Sequence, residues 1–130
     1  MNIVNVAVVG GGAMGVGIVY TISNFGFRVF FKELNDDLVK KCQDQLNRIY
    51  SSALNKGKMT EEEVKKALRL IHGGSNYKGF EEVDLVIEAV PEDVVIKKRV
   101  FQEMLKRGGF LPRKRKGFIR GSSQALIWKN

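Results

Sequence analysis

Apolar residues follow two rhythms along this chain, short runs that break at glycine and longer stripes at helical spacing, and the two alternate. Val6 to Val9 is the first run; it breaks at Gly10, Gly11 and Gly12 and is followed by Met14 to Phe25, apolar on almost every side. That order reads as a strand, a tight turn and a helix buried against a sheet. Ser23 and Asn24 mark the helix end, Gly26 closes it, and Arg28 to Lys32 reads as a second strand. From Asp36 the pattern becomes amphipathic. Leu38, Cys42, Leu46, Ile49, Tyr50 and Ala53 form one stripe, with Lys40, Lys41, Asp44 and Arg48 on other faces. Asn55 to Lys58 closes this long helix. Thr60 and Glu63 are spaced as a capping box for a second helix, whose buried face is Val64, Ala67, Leu68 and Ile71. A minimal crossover between parallel strands needs one helix, so the pair is expected to stand out from the sheet as a helical hairpin.

Beyond the hairpin, Gly73 to Ser75 reads as a weak edge strand or loop and Tyr77 to Glu82 as a short helical turn. Val83 to Ile87 is a parallel strand, and Glu88 to Asp93 leaves its carboxyl end. Pro91 starts the next helix, with the stripe Ile96, Val100, Phe101 and Met104 and with Glu92 and Asp93 in its positively polarised first turn. Alternating strands and helices predict an α/β fold, a Rossmann-type doubly wound parallel sheet with a helical hairpin inserted.

The glycines supply the first chemistry. Gly10, Gly12 and Gly15 fall at G-x-G-x-x-G spacing between a strand and a helix. In a dinucleotide site the first makes the turn, the second admits a pyrophosphate and the third lets the helix sit close on the sheet. The ligand's charge would lie on the helix's first N–H groups, where the dipole adds attraction. Glu33, at the end of the second strand, comes 18 residues after Gly15, close to the roughly 20 that this fingerprint needs. Alone, such an acid reads as a solvated strand end. After this glycine pattern it reads as the acceptor of adenosine-ribose hydroxyls, which favours NAD over NADP.

Charge and cysteine content narrow the classes. One cysteine, Cys42, forms no internal disulfide, which points to a reducing compartment, the cytoplasm. One histidine, His72, cannot build a His-rich metal site and reads as structural. No charged residue precedes Arg28, yet the glycines at 10, 11, 12, 15 and 17 interrupt the apolar stretch and no basic residue leads it, which argues against a membrane span or a signal peptide. The net charge of +8 is uneven: residues 1–107 carry 16 Lys and Arg against all 14 acids, and residues 108–130 carry six basic residues and no acid. The division is a domain over 1–107 and a basic tail over 108–130 with no assigned structure.

Three pieces of sequence together closely resemble the NAD-binding domain of 3-hydroxyacyl-CoA dehydrogenases. They are Gly10-x-Gly12-x-Met14-Gly15-x-Gly17-Ile18, the run Lys56 to Thr60, and the run Asp84 to Asp93; the resemblance extends from about Val4 to Leu105. It implies hydride exchange between NAD and the 3-hydroxyl carbon of an acyl-CoA in fatty-acid oxidation. It also implies that Gly10, Gly12, Ala13, Met14 and Gly15 wrap the pyrophosphate, that Glu33 holds the ribose, and that Ala89, Val90, Glu92 and Lys97 lie on the nicotinamide side. Lys56, on the hairpin, is then a candidate contact for a CoA phosphate. Beyond Leu105 the family continues into a further strand, a catalytic histidine with a glutamate partner, and a helical domain. This chain has none of these motifs. The resemblance therefore implies a truncated domain with no catalytic residue of its own, which meets acyl-CoA only if the missing half is supplied. The alternative is a non-catalytic NAD-binding module that works with a complementing chain or through its tail. Residues 108–130 fit a shifted reading frame, which we favour because the pattern is lost abruptly, or a basic surface for anions; nucleic acid is not an expected partner.

Overall fold

The computed structural model describes residues 5–10, 13–88, 119–120 and 126–129. Its strands are β1 (Asn5–Val9), β2 (Arg28–Lys32), β3 (Ile71–Gly74), β4 (Leu85–Glu88), β5 (Ile119–Arg120) and β6 (Leu126–Lys129). Its helices are α1 (Ala13–Asn24), α2 (Asp36–Asn55) and α3 (Glu61–Arg69), with a 3-10 turn at Phe80–Glu82. The sheet order is β3-β2-β1-β4-β6-β5. β1 lies parallel between β2 and β4, and β2 lies parallel to β3. This is the expected α/β Rossmann-type architecture, with the first strand at its centre.

β1 is buried from Val6 to Val9, as a strand covered on both faces should be. Alternate residues serve two cores. Val8, Val29 and Phe31 face a cluster with Val16 and Val19 of α1, Cys42, Leu46 and Tyr50 of α2, and Val64 and Ala67 of α3. Ala7, Val9 and Val86 face the other side, where Tyr77, Phe80 and Val83 pack. The Tyr50 hydroxyl lies 2.5 Å from the Ser23 hydroxyl, so the polar ends of two buried side chains satisfy each other.

Three expectations shift. The hairpin does not stand clear of the sheet: Leu46, Tyr50, Val64 and Ala67 join the core with Val29 and Phe31. Ile71 does not extend α3, which ends at Arg69; it opens β3, opposite Val29, and reaches the same core from a strand. Both helix and strand put an apolar side chain there, so the helical stripe ran one residue type too far. Leu126–Lys129, in the segment for which the sequence predicts no regular element, pair antiparallel with β4, with Trp128 opposite Val86 and Ile127 opposite Ile87. β-branched and aromatic residues suit a strand, and an antiparallel partner needs no crossover helix. The helix expected from Pro91 lies outside the described residues.

At the amino edge, Asn5 and Asp84 are bonded in both directions. The Asn5 N–H donates to the Asp84 carboxylate at 3.0 Å, and the Asp84 N–H donates to the Asn5 carbonyl at 2.9 Å. This pair fixes β4 beside β1 and so sets where the two strands end.

Candidate functional site at the carboxyl ends of the parallel strands

β1 ends in Gly10, whose φ of 94° is a left-handed conformation open to glycine without a Cβ penalty. Its N–H donates to the Lys32 carbonyl at 2.9 Å. The turn after β1 is thereby tied to the last residue of β2, and Glu33 follows directly. α1 begins at Ala13 with no acid in its first turn, so no side-chain charge there offsets the positive end of its dipole. Gly15 is buried one turn along. The fold therefore brings Gly10, the backbone of Ala13 and Met14, and Gly15 to the same end of the sheet as Glu33. Gly12 lies outside the described residues, as do Ala89, Val90, Glu92 and Lys97.

Glu33 is half-buried, and its backbone N–H donates to the Gly74 carbonyl at 3.0 Å. Its neighbour Lys32 places its ammonium 4.8 Å from the centre of the Tyr77 ring, a cation–π contact on the opposite side of the strand end. The charge of Glu33 is felt by Cys42. Burial first, and then this carboxylate, push the Cys42 thiol up to about 11, against a smaller opposing effect of Lys41. Burial and the carboxylate both favour the thiol over the thiolate. α2 opens beside Glu33 on an Asn35 cap, whose side-chain oxygen accepts the Leu38 N–H at 2.9 Å, and Asp36 and Asp37 fill its first turn. Asp36 accepts a hydrogen bond from the Ser75 hydroxyl at 2.7 Å. Sequence reasoning did not single out Asn35 or Ser75. The Asn-Asp-Asp start was a capping signal for the first; nothing local in the sequence points to the second, which lies 39 residues from its partner.

Lys56 is elsewhere. It is the exposed carboxyl cap of α2, and a helix of 20 residues separates its ends by about 30 Å. His72 lies in β3, exposed, with its ring stacked on Phe30 at 5.1 Å. It is thus on the outer strand of the sheet, in line with a structural role. A cleft of about 480 Å³ runs between β3 and the 3-10 turn, lined by Phe30, His72, Gly79 and Phe80, and none of Gly10, Ala13 or Glu33 lines it. Among the described residues no group of His, Cys, Asp and Glu could hold a metal ion, and no helix is long and apolar enough to cross a membrane.

Residues 5–107 match the family described as 3-hydroxyacyl-CoA dehydrogenase, NAD binding domain. The glyoxysomal fatty acid beta-oxidation multifunctional protein MFP-a of Cucumis sativus is 39% identical over 105 residues, which are 81% of this chain and 14% of that protein. The 3-hydroxybutyryl-CoA dehydrogenase of Clostridioides difficile is 35% identical over 96 residues, 74% of this chain and 34% of that one. Among solved structures, M. tuberculosis FadB2 superposes with a TM-score of 0.79 at 33% identity, covering 86% of this chain and 39% of that chain. The chain therefore spans well under half the length of each of these relatives.

Proposed function

The chain belongs to the 3-hydroxyacyl-CoA dehydrogenase family, as its NAD-binding domain, and from that premise we propose how its residues hold the cofactor and what the whole protein does. The observation that carries the reading is the Gly10 N–H bond to the Lys32 carbonyl, because it couples the glycine turn to Glu33. A pyrophosphate would lie over Gly10 and Gly12, against the first N–H groups of α1 at Ala13 and Met14, with Gly15 allowing the close approach. Glu33 would accept the adenosine-ribose hydroxyls and repel a 2′-phosphate. Ala89, Val90, Glu92 and Lys97 would border the nicotinamide, by the family motif they match. Lys56, far along α2, would meet a CoA phosphate.

NAD supplies hydride transfer to and from the 3-hydroxyl carbon of an acyl-CoA. General-base removal of the hydroxyl proton needs a positioned group near neutral pKa, and His72, stacked on Phe30 in an outer strand, is not positioned for it. His72 is therefore not assigned as the base, which on this reading lies outside the NAD-binding domain, on this polypeptide or on a complementing one. For this chain alone no oxidation of 3-hydroxybutyryl-CoA is expected. Turnover that survives His72→Ala would reveal another base, and turnover abolished by that change would overturn the assignment of His72. The free, buried Cys42 suits a reducing compartment such as the cytoplasm; the cucumber relative is named as glyoxysomal.

Titration of nicotinamide fluorescence tests the cofactor reading. NADH is expected to bind more tightly than NADPH, and Glu33→Ala to weaken NADH by about 1.5 to 3 kcal/mol, the scale of hydrogen bonds to a charged group. Equal affinities, or a preference for NADPH, would refute it.

A further inference from the structure

We propose that Ser75 is a positioning residue for nucleotide binding, holding Asp36 so that the turn bearing Glu33 keeps its carboxylate at the ribose. The inference rests on the ribose reading of Glu33 given above. Glu33, Leu34 and Asn35 connect β2 to Asp36, the first residue of α2, and the two ends of this connection are tied to consecutive residues at the exit of β3. The Glu33 N–H donates to the Gly74 carbonyl at 3.0 Å, and the Ser75 hydroxyl donates to Oδ1 of Asp36 at 2.7 Å. Between the two, Leu34 is 77% exposed, so packing does not anchor the middle of the turn. A carboxylate that must meet ribose hydroxyls has to sit within roughly 0.5 Å of its productive place. The backbone bond fixes where Glu33 starts; at the other end the Asn35 cap holds the start of α2 together, and the Ser75 bond ties that start to the exit of β3.

The Ser75–Asp36 bond is short and charge-assisted. It is also solvent-exposed, so water replaces it readily and its loss has little effect on folding. What its loss removes is the tie between the start of α2 and the exit of β3. The effect is therefore expected in ribose recognition rather than in stability, and a probe without the ribose contact separates the two.

The test uses the whole 130-residue chain, titrated with NADH and with NADH that lacks both the 2′- and the 3′-hydroxyl of its adenosine ribose. Ser75→Ala is expected to weaken NADH about three-fold, the low end of one net hydrogen bond, and to leave the 2′,3′-dideoxy nucleotide unchanged. Ser75→Thr, which keeps a hydroxyl, should retain the NADH affinity. Asp36→Ala should reproduce the loss, and joining it to Ser75→Ala should add nothing, as for two residues of one interaction. Equal losses for both nucleotides, or no loss for either, would overturn the positioning role. Glu33→Gln in the same assay isolates the premise. If the unaltered chain binds both nucleotides alike and Glu33→Gln changes neither, the ribose reading itself fails. If the unaltered chain discriminates, Glu33→Gln abolishes that discrimination and Ser75→Ala preserves it, the ribose reading stands and Ser75 has no positioning role.

Discussion

On one face of the sheet Val8, Val29 and Phe31 lie under three helices, while on the other, among the described residues, Ala7, Val9 and Val86 lie under Tyr77, Phe80 and Val83 from a single connection. The first cover is made of regular elements whose apolar stripes repeat. The second depends on two aromatic rings packed edge to face, with centroids 5.1 Å apart, and on Gly79, which enters the 3-10 turn at φ 93°. The difference teaches that a helical cover spreads its stabilisation over many side chains and tolerates local adjustment. A loop cover concentrates it in a backbone conformation that few residues adopt.

The comparison can be broken first on the helical face. Leu46 is fully buried in α2, and Leu46→Ala is expected to lower stability by about 3 kcal/mol through lost transfer energy and the cavity left behind. Urea denaturation would measure it; a loss below that of the next variant would reverse the ranking of the two faces. On the loop face, a Cβ at Gly79 would come 2.7 Å from the Phe30 ring in addition to its unfavourable φ. Gly79→Ala is therefore expected to cost about 2 kcal/mol. Hydrogen exchange should then quicken around Tyr77 to Val83 and stay slow in α2; uniform quickening would show one core rather than two. The smallest effect concerns pH and is read on the helical face. Burial raises Cys42 from 9.0 to about 11 and raises Tyr50 above its ordinary value. A raised folded pKa gives stability that is complete below the unfolded value, so stability should fall as pH rises from about 9 through about 11. Cys42→Ala should flatten the first part of that fall in pH-dependent denaturation, and an unchanged profile would remove Cys42 from the account.

Legibility followed the same division. β1, the turn at Gly10 and α1 were readable because an apolar run, a glycine and a helical stretch follow one another directly. The Thr60–Glu63 capping box was readable and forms as expected, with the Glu63 N–H bonded to the Thr60 hydroxyl at 3.2 Å. Ile71 was misplaced because an apolar residue after a helical stripe carries no sign of where the helix stops; Leu70, partly buried and turning the chain, supplies that stop in three dimensions. The Ser75–Asp36 bond was invisible because it joins two polar residues 39 positions apart, each ordinary in its own neighbourhood. Likewise β6 is a strand by virtue of the β4 edge it meets, a partner that local propensity does not name.

The bond between Asn5 and Asp84 spans 79 positions, and it carries a consequence for how the chain is made. Within this domain the central strand is made before both of its neighbours, and one of the two follows far later. At about 5 to 20 residues per second, Val6 to Val9 would wait roughly 4 to 16 seconds for β4, with β2 able to pair early and the opposite flank still open. A nascent chain stalled before Leu85 thus displays one open edge of an apolar strand, the kind of surface that chaperones bind and that neighbouring chains can capture.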